Sequence, residues 1–331
     1  MEDLFCIAGQ SIKKGESKEI KLKVSESYTS IATYIPITVL RGVSDGPIVF
    51  ITAAVHGDEL NGIEIVRRII YSIDLSSLKG TLVCLPIVNI FGFQNSSRYL
   101  PDGSDLNRFF PGNSKGNFVK KYASIIFKEI IKKCQYGIDI HTAAIGRSNL
   151  PHVRADMNFK EVKRMAVAFG TTIIKNESGA KGSLRRTATE ANIPTIIFEA
   201  GEIRKFELAI AKRGFDGVLN ALSELGMIEH KKVKPPYQVI VDSSKWIRAN
   251  RGGLLSILVK PGNIVYKDDE IAVNTNPFGK EVEIIKSPIN GIIIGIATDP
   301  TATPGQPICH MVELDDEIEK IKDSLKKFAY I

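Results

Sequence analysis

A chain of 331 residues is longer than one comfortable core, so a larger domain of about 200 residues with a smaller companion is expected. An apolar fraction of 44% and a charged fraction of 24% exclude fibrous and disordered classes and leave a protein that buries a core. The formal charge of +7 is dispersed among both signs with no basic stripe interleaved with aromatics, which argues against nucleic acid and leaves the steering of a small anion.

The opening segment, MEDLFCIAGQSIKKGES, has no sustained apolar stretch after a basic region, so no secretory signal is expected. From Pro47 the pattern alternates strand and helix, with apolar runs of the kind buried on both faces of a parallel sheet. The strands are expected to end at Val55, Val88, Ile140, Ile174 and Phe198. Leu60, Ile63, Val66 or Arg67, and Ile70 trace one helical face, and Phe118, Tyr122, Ile125 or Ile126, and Glu129 or Ile130 trace another. Near KKVKPP at 231–236 the last of these helices breaks, and short β-rich segments separated by PGN, NPFG and PING turns follow. The end of the chain places Ile318, Ile321, Leu325 and Phe328 on one face of an amphipathic helix. The expected domains are therefore 1–234 and 235–331. The longest apolar runs fall far short of the roughly 20 residues that span a bilayer, so no membrane helix is expected. Cys6, Cys84, Cys134 and Cys309 form no C-x-x-C pair, which suits a reducing cytoplasm.

In open α/β sheets catalytic groups gather beyond the carboxyl ends of strands. His56, His141 and Glu199 stand at three such ends. In HGDE, His56 and Glu59 are three apart where strand gives way to helix, and His141 completes a His₂Glu set of the type that holds catalytic zinc with a position open for water. A histidine at a strand end is often only hydrogen-bonded. Here, however, two of only five histidines sit at strand ends with an acidic partner, whereas His152, His230 and His310 lack one and read as surface or structural. Asp58 reads as a turn or cap residue. Asp139, on the same strand face as His141, is placed to orient an imidazole.

Four motifs in order, AAVHGDELNG, RYLPDGSDLNRFFPG, GIDIHTA and FEAGE, resemble the succinylglutamate desuccinylase and aspartoacylase family over about residues 48–201. The resemblance implies a zinc-carboxypeptidase-like fold, with a mixed, mostly parallel sheet flanked by helices, and hydrolysis of N-acylated amino acids. It places one zinc per chain on His56, Glu59 and His141, the general base on Glu199, a carbonyl-polarising cation on Arg98, and a substrate-carboxylate site on Asn107 and Arg108. Arg154, in NLPHVRAD, is a further candidate for a second substrate carboxylate or an acyl-chain contact.

The C-terminal part departs from aspartoacylases. From about Arg251 it looks like the barrel-sandwich fold of biotinyl and lipoyl domains, with Lys280 at the turn where those carriers are modified but without the Met-Lys-Met context. A wall or lid over the site is the expectation for this part. The sequence as a whole points to a cytoplasmic zinc deacylase acting on a small anionic N-acyl amino acid, with no nucleic-acid or membrane partner and with homo-oligomerisation open. Its rivals are a zinc carboxypeptidase for short peptides and a non-enzymatic carrier or binding module.

Overall fold

The structure, a computed structural model, describes residues 3–280, 282–314 and 318–328. A small hairpin, β1 (Phe5–Ile7) and β2 (Gln10–Ile12), precedes two long antiparallel strands, β3 (Ser17–Glu26) and β4 (Ala32–Arg41). Then come β5 (Ser44–Ala53), α1 (Asn61–Ser72), β6 (Lys79–Leu85), α2 (Ile90–Gln94), α3 (Phe118–Glu129) and β7 (Tyr136–His141). They are followed by β8 (Arg147–Ala155), α4 (Lys160–Phe169), β9 (Ile173–Asn176), α5 (Leu184–Glu190), β10 (Thr195–Gly201) and α6 (Leu208–Glu224).

Strand alternation explains the two cores of this region. Val49, Ile51 and Ala53 of β5, with Leu82 and Cys84 of β6, face Ile65, Val66 and Ile69 of α1, Met165 of α4 and Val218 of α6. Phe50, Val83 and Leu85 point the other way, onto Val119, Tyr122 and Ile126 of α3 and Leu184 of α5. Side chains of period 2 on a sheet covered on both sides produce this continuous apolar run, and each fully buried aliphatic or aromatic side chain contributes roughly 1.5–3 kcal/mol.

The remaining elements are β11 (Val239–Val241), β12 (Ser244–Arg248), β13 (Gly253–Ile257), β14 (Ile264–Val265), β15 (Glu270–Thr275), β16 (Val282–Lys286), β17 (Gly291–Ala297), β18 (Thr301–Ala302), β19 (Pro307–Glu313) and α7 (Ile318–Phe328). One large sheet runs in the order β12-β19-β17-β8-β10-β7-β5-β6-β4-β3, and β16-β15-β13-β18 form a separate sheet. Ile247, Leu255, Ile271, Ile285, Ile293 and Met311 make a core of their own between the two. Ile318 and Ile321 are buried against Ile292, Val312 and Leu314, as the amphipathic pattern requires, while the side chains of Leu325 and Phe328 lie outside the described residues.

Three expectations need correction. The sheet is mixed as expected but not mostly parallel: it is parallel only through its centre, β6-β5-β7-β10, where β5 pairs parallel with β6 and β7 and β10 with β7, and through the short pairings of β9 with β8 and β11; β3, β4, β8, β17, β19 and β12 join by antiparallel pairing. An apolar run shows burial, not direction, so the outer strands were not specified by it. The strands also end elsewhere than expected: β5 at Ala53, β6 at Leu85, β7 at His141, β9 at Asn176 and β10 at Gly201. Lastly, α6 stops at Glu224, before KKVKPP, and Gly226 takes φ +75° just beyond it.

Candidate functional site

His56 stands three residues beyond β5 in a turn closed by a bond from the Glu59 N–H to the His56 carbonyl (3.2 Å). The turn presses on α2: a Cβ on Gly57 would come within 2.0 Å of the Gly92 carbonyl carbon and the Phe93 nitrogen, so only glycine fits there. The chain then enters α1 at Asn61 with no side-chain cap, so Asp58 does not cap the helix. His141, the last residue of β7, arrives from the neighbouring strand.

These three side chains converge. The ligand atoms of His56, Glu59 and His141 lie within 4.8 Å of one another, and all three residues are buried. Nδ1 of His56 is 2.6 Å from Glu59 Oε1, and Nδ1 of His141 is 2.8 Å from Glu59 Oε2. The Thr142 N–H donates to the same Oε2 (3.2 Å). Behind them Asp139 accepts from His141 Nε2 (2.8 Å) and from the Thr52 hydroxyl (2.7 Å), the carboxylate-to-imidazole contact that fixes a ligating ring. His56 Nε2 is buried without a hydrogen bond and lies 3.3 Å from Asp105 Oδ1. Burial disfavours the charged form of His141, but Asp139 and Glu59 outweigh it and raise its pKa well above the ordinary value. Burial likewise opposes ionised Glu59, yet His56 and His141 hold its pKa far below the usual range. Two imidazoles and a carboxylate converging in a buried site are a donor set that fits a divalent metal.

A second wall comes from residues 98–108. Arg98 donates through Nε and Nη2 to Asp105 Oδ2 (3.2 and 2.9 Å), while its Nη1 approaches His56 Nδ1 (3.2 Å) and Glu59 Oε1 (3.9 Å). Asn107 accepts from the Leu184 N–H (2.8 Å), tying this loop to the start of α5. Arg108 is half exposed, donates to the Asn107 carbonyl (2.7 Å) and comes no nearer than 3.9 Å to Asp105. Asp105 is thus the partner of Arg98, and Arg98 faces the metal-type cluster as well.

The third wall is β8 and β10. Glu199 accepts from Asn149 Nδ2 (3.1 Å) and lies 3.6 Å from Arg154 Nε. Arg154 Nε also reaches Nε2 of His152 (3.3 Å), whose Nδ1 lies 2.7 Å from the Leu150 carbonyl. Burial and then Arg154 push the His152 pKa down to about 3, so the neutral ring can accept from the guanidinium. His152 and His310 are both buried, so neither is a surface residue. Arg154 and Arg185 each come within 3.5 Å of Glu177 Oε1.

All eight residues expected from the sequence, His56, Glu59, Arg98, Asn107, Arg108, His141, Arg154 and Glu199, line one cavity of about 270 Å³. Thr142, Arg147, Asn149, Glu177, Arg185 and Trp246 line it too and were not foreseen. Trp246, the only tryptophan of the chain, was the one available signal, since a lone large aromatic at a domain junction invites the question of what it covers. Asn149 and Arg147 escaped notice because β8 begins with polar residues and contains Pro151. That proline sits where one edge of β8 passes from β17 to β9, so its missing N–H costs no ladder bond.

Residues 45–225 match the family model of the succinylglutamate desuccinylase/aspartoacylase catalytic domain, and the chain belongs to that family. It is 27% identical over 270 residues to an N-alpha-acetyl-L-2,4-diaminobutyric acid deacetylase of Halomonas elongata, covering 76% of this chain and 78% of the relative. Its fold is similar to that of the product-bound ectoine utilization protein of Ruegeria pomeroyi (TM-score 0.80, 20% identity, 90% of this chain and 95% of that one). A succinylglutamate desuccinylase/aspartoacylase from Rhodobacter sphaeroides gives TM-score 0.79 at 22% identity, with 90% and 95% covered. Among the described residues no helix is long and apolar enough to cross a membrane.

Proposed function

We propose that this chain is a zinc-dependent amidohydrolase that removes an acyl group from an N-acylated amino acid or a similar small carboxylate. The observation that carries this reading is the convergence of a buried His₂Glu set, a separate carboxylate and several guanidiniums on one small cavity. Family membership and the deacetylase relative support it. His56, Glu59 and His141 would hold one zinc per chain, which when bound polarises a carbonyl and lowers the pKa of water toward about 7. Glu199 takes a proton from the attacking water and returns it to the departing amine nitrogen, a role open to a carboxylate held from the side by Asn149. Arg98, fixed by Asp105, donates to the oxyanion that develops on the scissile carbonyl. Arg108, whose charge is only distantly matched, binds the substrate carboxylate with Asn107 beside it. Arg154 contacts the remainder of the substrate.

We read residues 1–234 as the catalytic, zinc-carboxypeptidase-like part and 235–331 as a barrel-sandwich unit of the biotinyl and lipoyl kind. The separate core between the β16-β15-β13-β18 sheet and β17 and β19 supports that division. This second part walls the cavity through Trp246, which favours a small substrate over a peptide. Lys280 is exposed on the β15 to β16 turn and stays outside the mechanism. The four free cysteines suit the cytoplasm. A panel of N-acyl amino acids, assayed with zinc-loaded and chelated protein, tests the reading. Hydrolysis of at least one member, lost on chelation and restored by zinc, is expected; hydrolysis unaffected by chelation, or confined to peptides, overturns it.

A further inference from the structure

Strand β17 of the C-terminal unit pairs directly with β8, and its residues 295–297 lie antiparallel to 147–149 with Gly295 opposite Asn149. On the other edge of β8 the register with β10 sets Ile197 against Arg154 and Glu199 against His152, then shifts so that Asn149 stands opposite Gly201. Residues directly opposite on antiparallel strands present their side chains to the same face of the sheet. Asn149 is therefore flanked by a glycine on each neighbouring strand, and of these three residues it alone carries a side chain. Asn149 is buried, and it lines the cavity together with Glu199.

The Asn149 amide bridges the two units. Its Nδ2 donates to Glu199 Oε2 (3.1 Å), a closer contact than the 3.6 Å between Glu199 Oε1 and Arg154 Nε. On the opposite side, a Cβ on Gly295 would lie 2.9 Å from Asn149 Oδ1 and 3.4 Å from Cβ of His310, whose ring stacks on Trp246 (4.1 Å between centroids, 6° between planes). The Gly295 backbone stays outside the left-handed region, so its conformation does not itself call for glycine. What excludes a side chain there is the space taken by the Asn149 amide. A glycine inside a strand weakens it, and here the gap it leaves is the seat of a polar group that reaches the site. The end of β17 is also tied to the residues around that seat, because the Thr298 N–H donates to the Gly146 carbonyl (2.9 Å) and the Thr298 hydroxyl to Glu202 Oε1 (2.9 Å).

We propose that Asn149 and Gly295 are positioning residues for Glu199: the gap at Gly295 seats the Asn149 amide, and the amide aims the carboxylate into the cavity. The C-terminal unit thereby takes part in turnover through β17 and does more than wall the site. The inference rests on the reading of Glu199 as the proton acceptor. A carboxylate on a strand end has free side-chain torsions, and a donor fixed to one oxygen selects one orientation while leaving the other oxygen for a water. A displacement of about 1 Å at a reacting group is enough to cost on the order of 10²-fold in rate. One added carbon at Gly295, in a different part of the chain from Glu199, is therefore expected to act on the base through Asn149.

The test uses zinc-loaded full-length protein carrying Gly295→Ala, Asn149→Ala or Asn149→Leu, the last keeping most of the volume while removing the donor. Crystal structures of the variants are expected to show the Glu199 carboxylate turned or displaced by about 1 Å or more. With the best substrate of the N-acyl amino acid panel, each variant should lower kcat by about 10- to 100-fold and change KM by less than about threefold. Two double-mutant cycles separate positioning from general damage. In a Glu199→Gln background the same substitutions should cost less than about twofold, and Gly295→Ala added to Asn149→Ala should cost no more than Asn149→Ala alone. Should the Asn149 variants fail to hold zinc, Gly295→Ala reads the same contact from the other side. A Glu199 carboxylate that keeps its place in the variants, or losses that simply add in either cycle, overturns the proposal. The crystallographic arm needs no substrate: a displaced Glu199 with native kcat counts against Glu199 as the base and not against its positioning by Asn149.

Discussion

Two walls of the same cavity treat charge in opposite ways. On the wall built from residues 56–59, 98–108 and 139–141, charged groups meet opposite ones at close range: Glu59 between two imidazoles, Asp139 behind His141, Asp105 against Arg98. Where β8 begins against β12, Arg147 meets an aromatic ring and no carboxylate among the described residues, although Arg154 further along β8 is paired with Glu177. Close pairing in a buried site fixes geometry, because a misplaced partner would leave an uncompensated charge. A guanidinium left unpaired beside an open cavity has its donors free for a ligand. The paired wall is thus suited to chemistry and the unpaired one to selection.

The largest effect that would break this division is expected at Glu199, which belongs to the β10 side yet is assigned to the chemistry. Glu199→Gln keeps its shape and its contact with Asn149 while removing the proton-accepting charge, so kcat should fall by about 10²- to 10⁴-fold with metal content unchanged. Near-normal kcat with metal in place would transfer the base role to another carboxylate, Glu202 being next in sequence.

A smaller effect sharpens the contrast within the paired wall itself. Arg98 is bound by Asp105 and faces Glu59, whereas Arg108 is half exposed and loosely paired. Arg98→Ala should therefore mainly lower kcat and Arg108→Ala mainly raise KM, because only the former group is assigned to charge that develops in the transition state. Steady-state kinetics giving the same pattern for both variants would show that the two roles are wrongly divided.

The smallest effect concerns stability. Burial, followed by Arg154 and Lys175, pushes His310 down to about 2 from its ordinary 6.5. Between those values the unfolded chain binds a proton that the folded chain refuses, so this histidine makes stability fall as pH drops below about 6.5. His310→Phe keeps a ring against Trp246 and removes the titration. The slope of unfolding free energy against pH on the acid side should become shallower by up to about 1.4 kcal/mol per pH unit. An unchanged slope would mean that the buried ring takes up its proton in the folded protein as well.

How much of this was legible in the sequence follows from the range of the interactions involved. The parallel centre was readable because Ile48 to Ala53, Leu82 to Leu85 and Thr195 to Phe198 are apolar runs that two covering layers require. His56, Glu59 and His141 were readable because strand ends and a three-residue spacing are local facts. Arg147 and Trp246 were not, since they are 99 residues apart and meet only because β17 and β19 extend the catalytic sheet beyond β8. The partner of Arg98 was equally hidden, because choosing between Asp102 and Asp105 requires the path of the loop. Register and strand direction at the edges of a sheet are set by tertiary contacts and leave little trace in composition.

The central claim is that His56, Glu59 and His141 hold a metal that Asp139 helps to position. Calorimetric titration of chelator-treated full-length protein with zinc tests it most directly. The account predicts about one tight site per chain, loss of that site in His56→Ala and His141→Ala, and a weakening of about 10- to 100-fold with unchanged stoichiometry in Asp139→Asn. Zinc binding of native affinity in both histidine variants would contradict it.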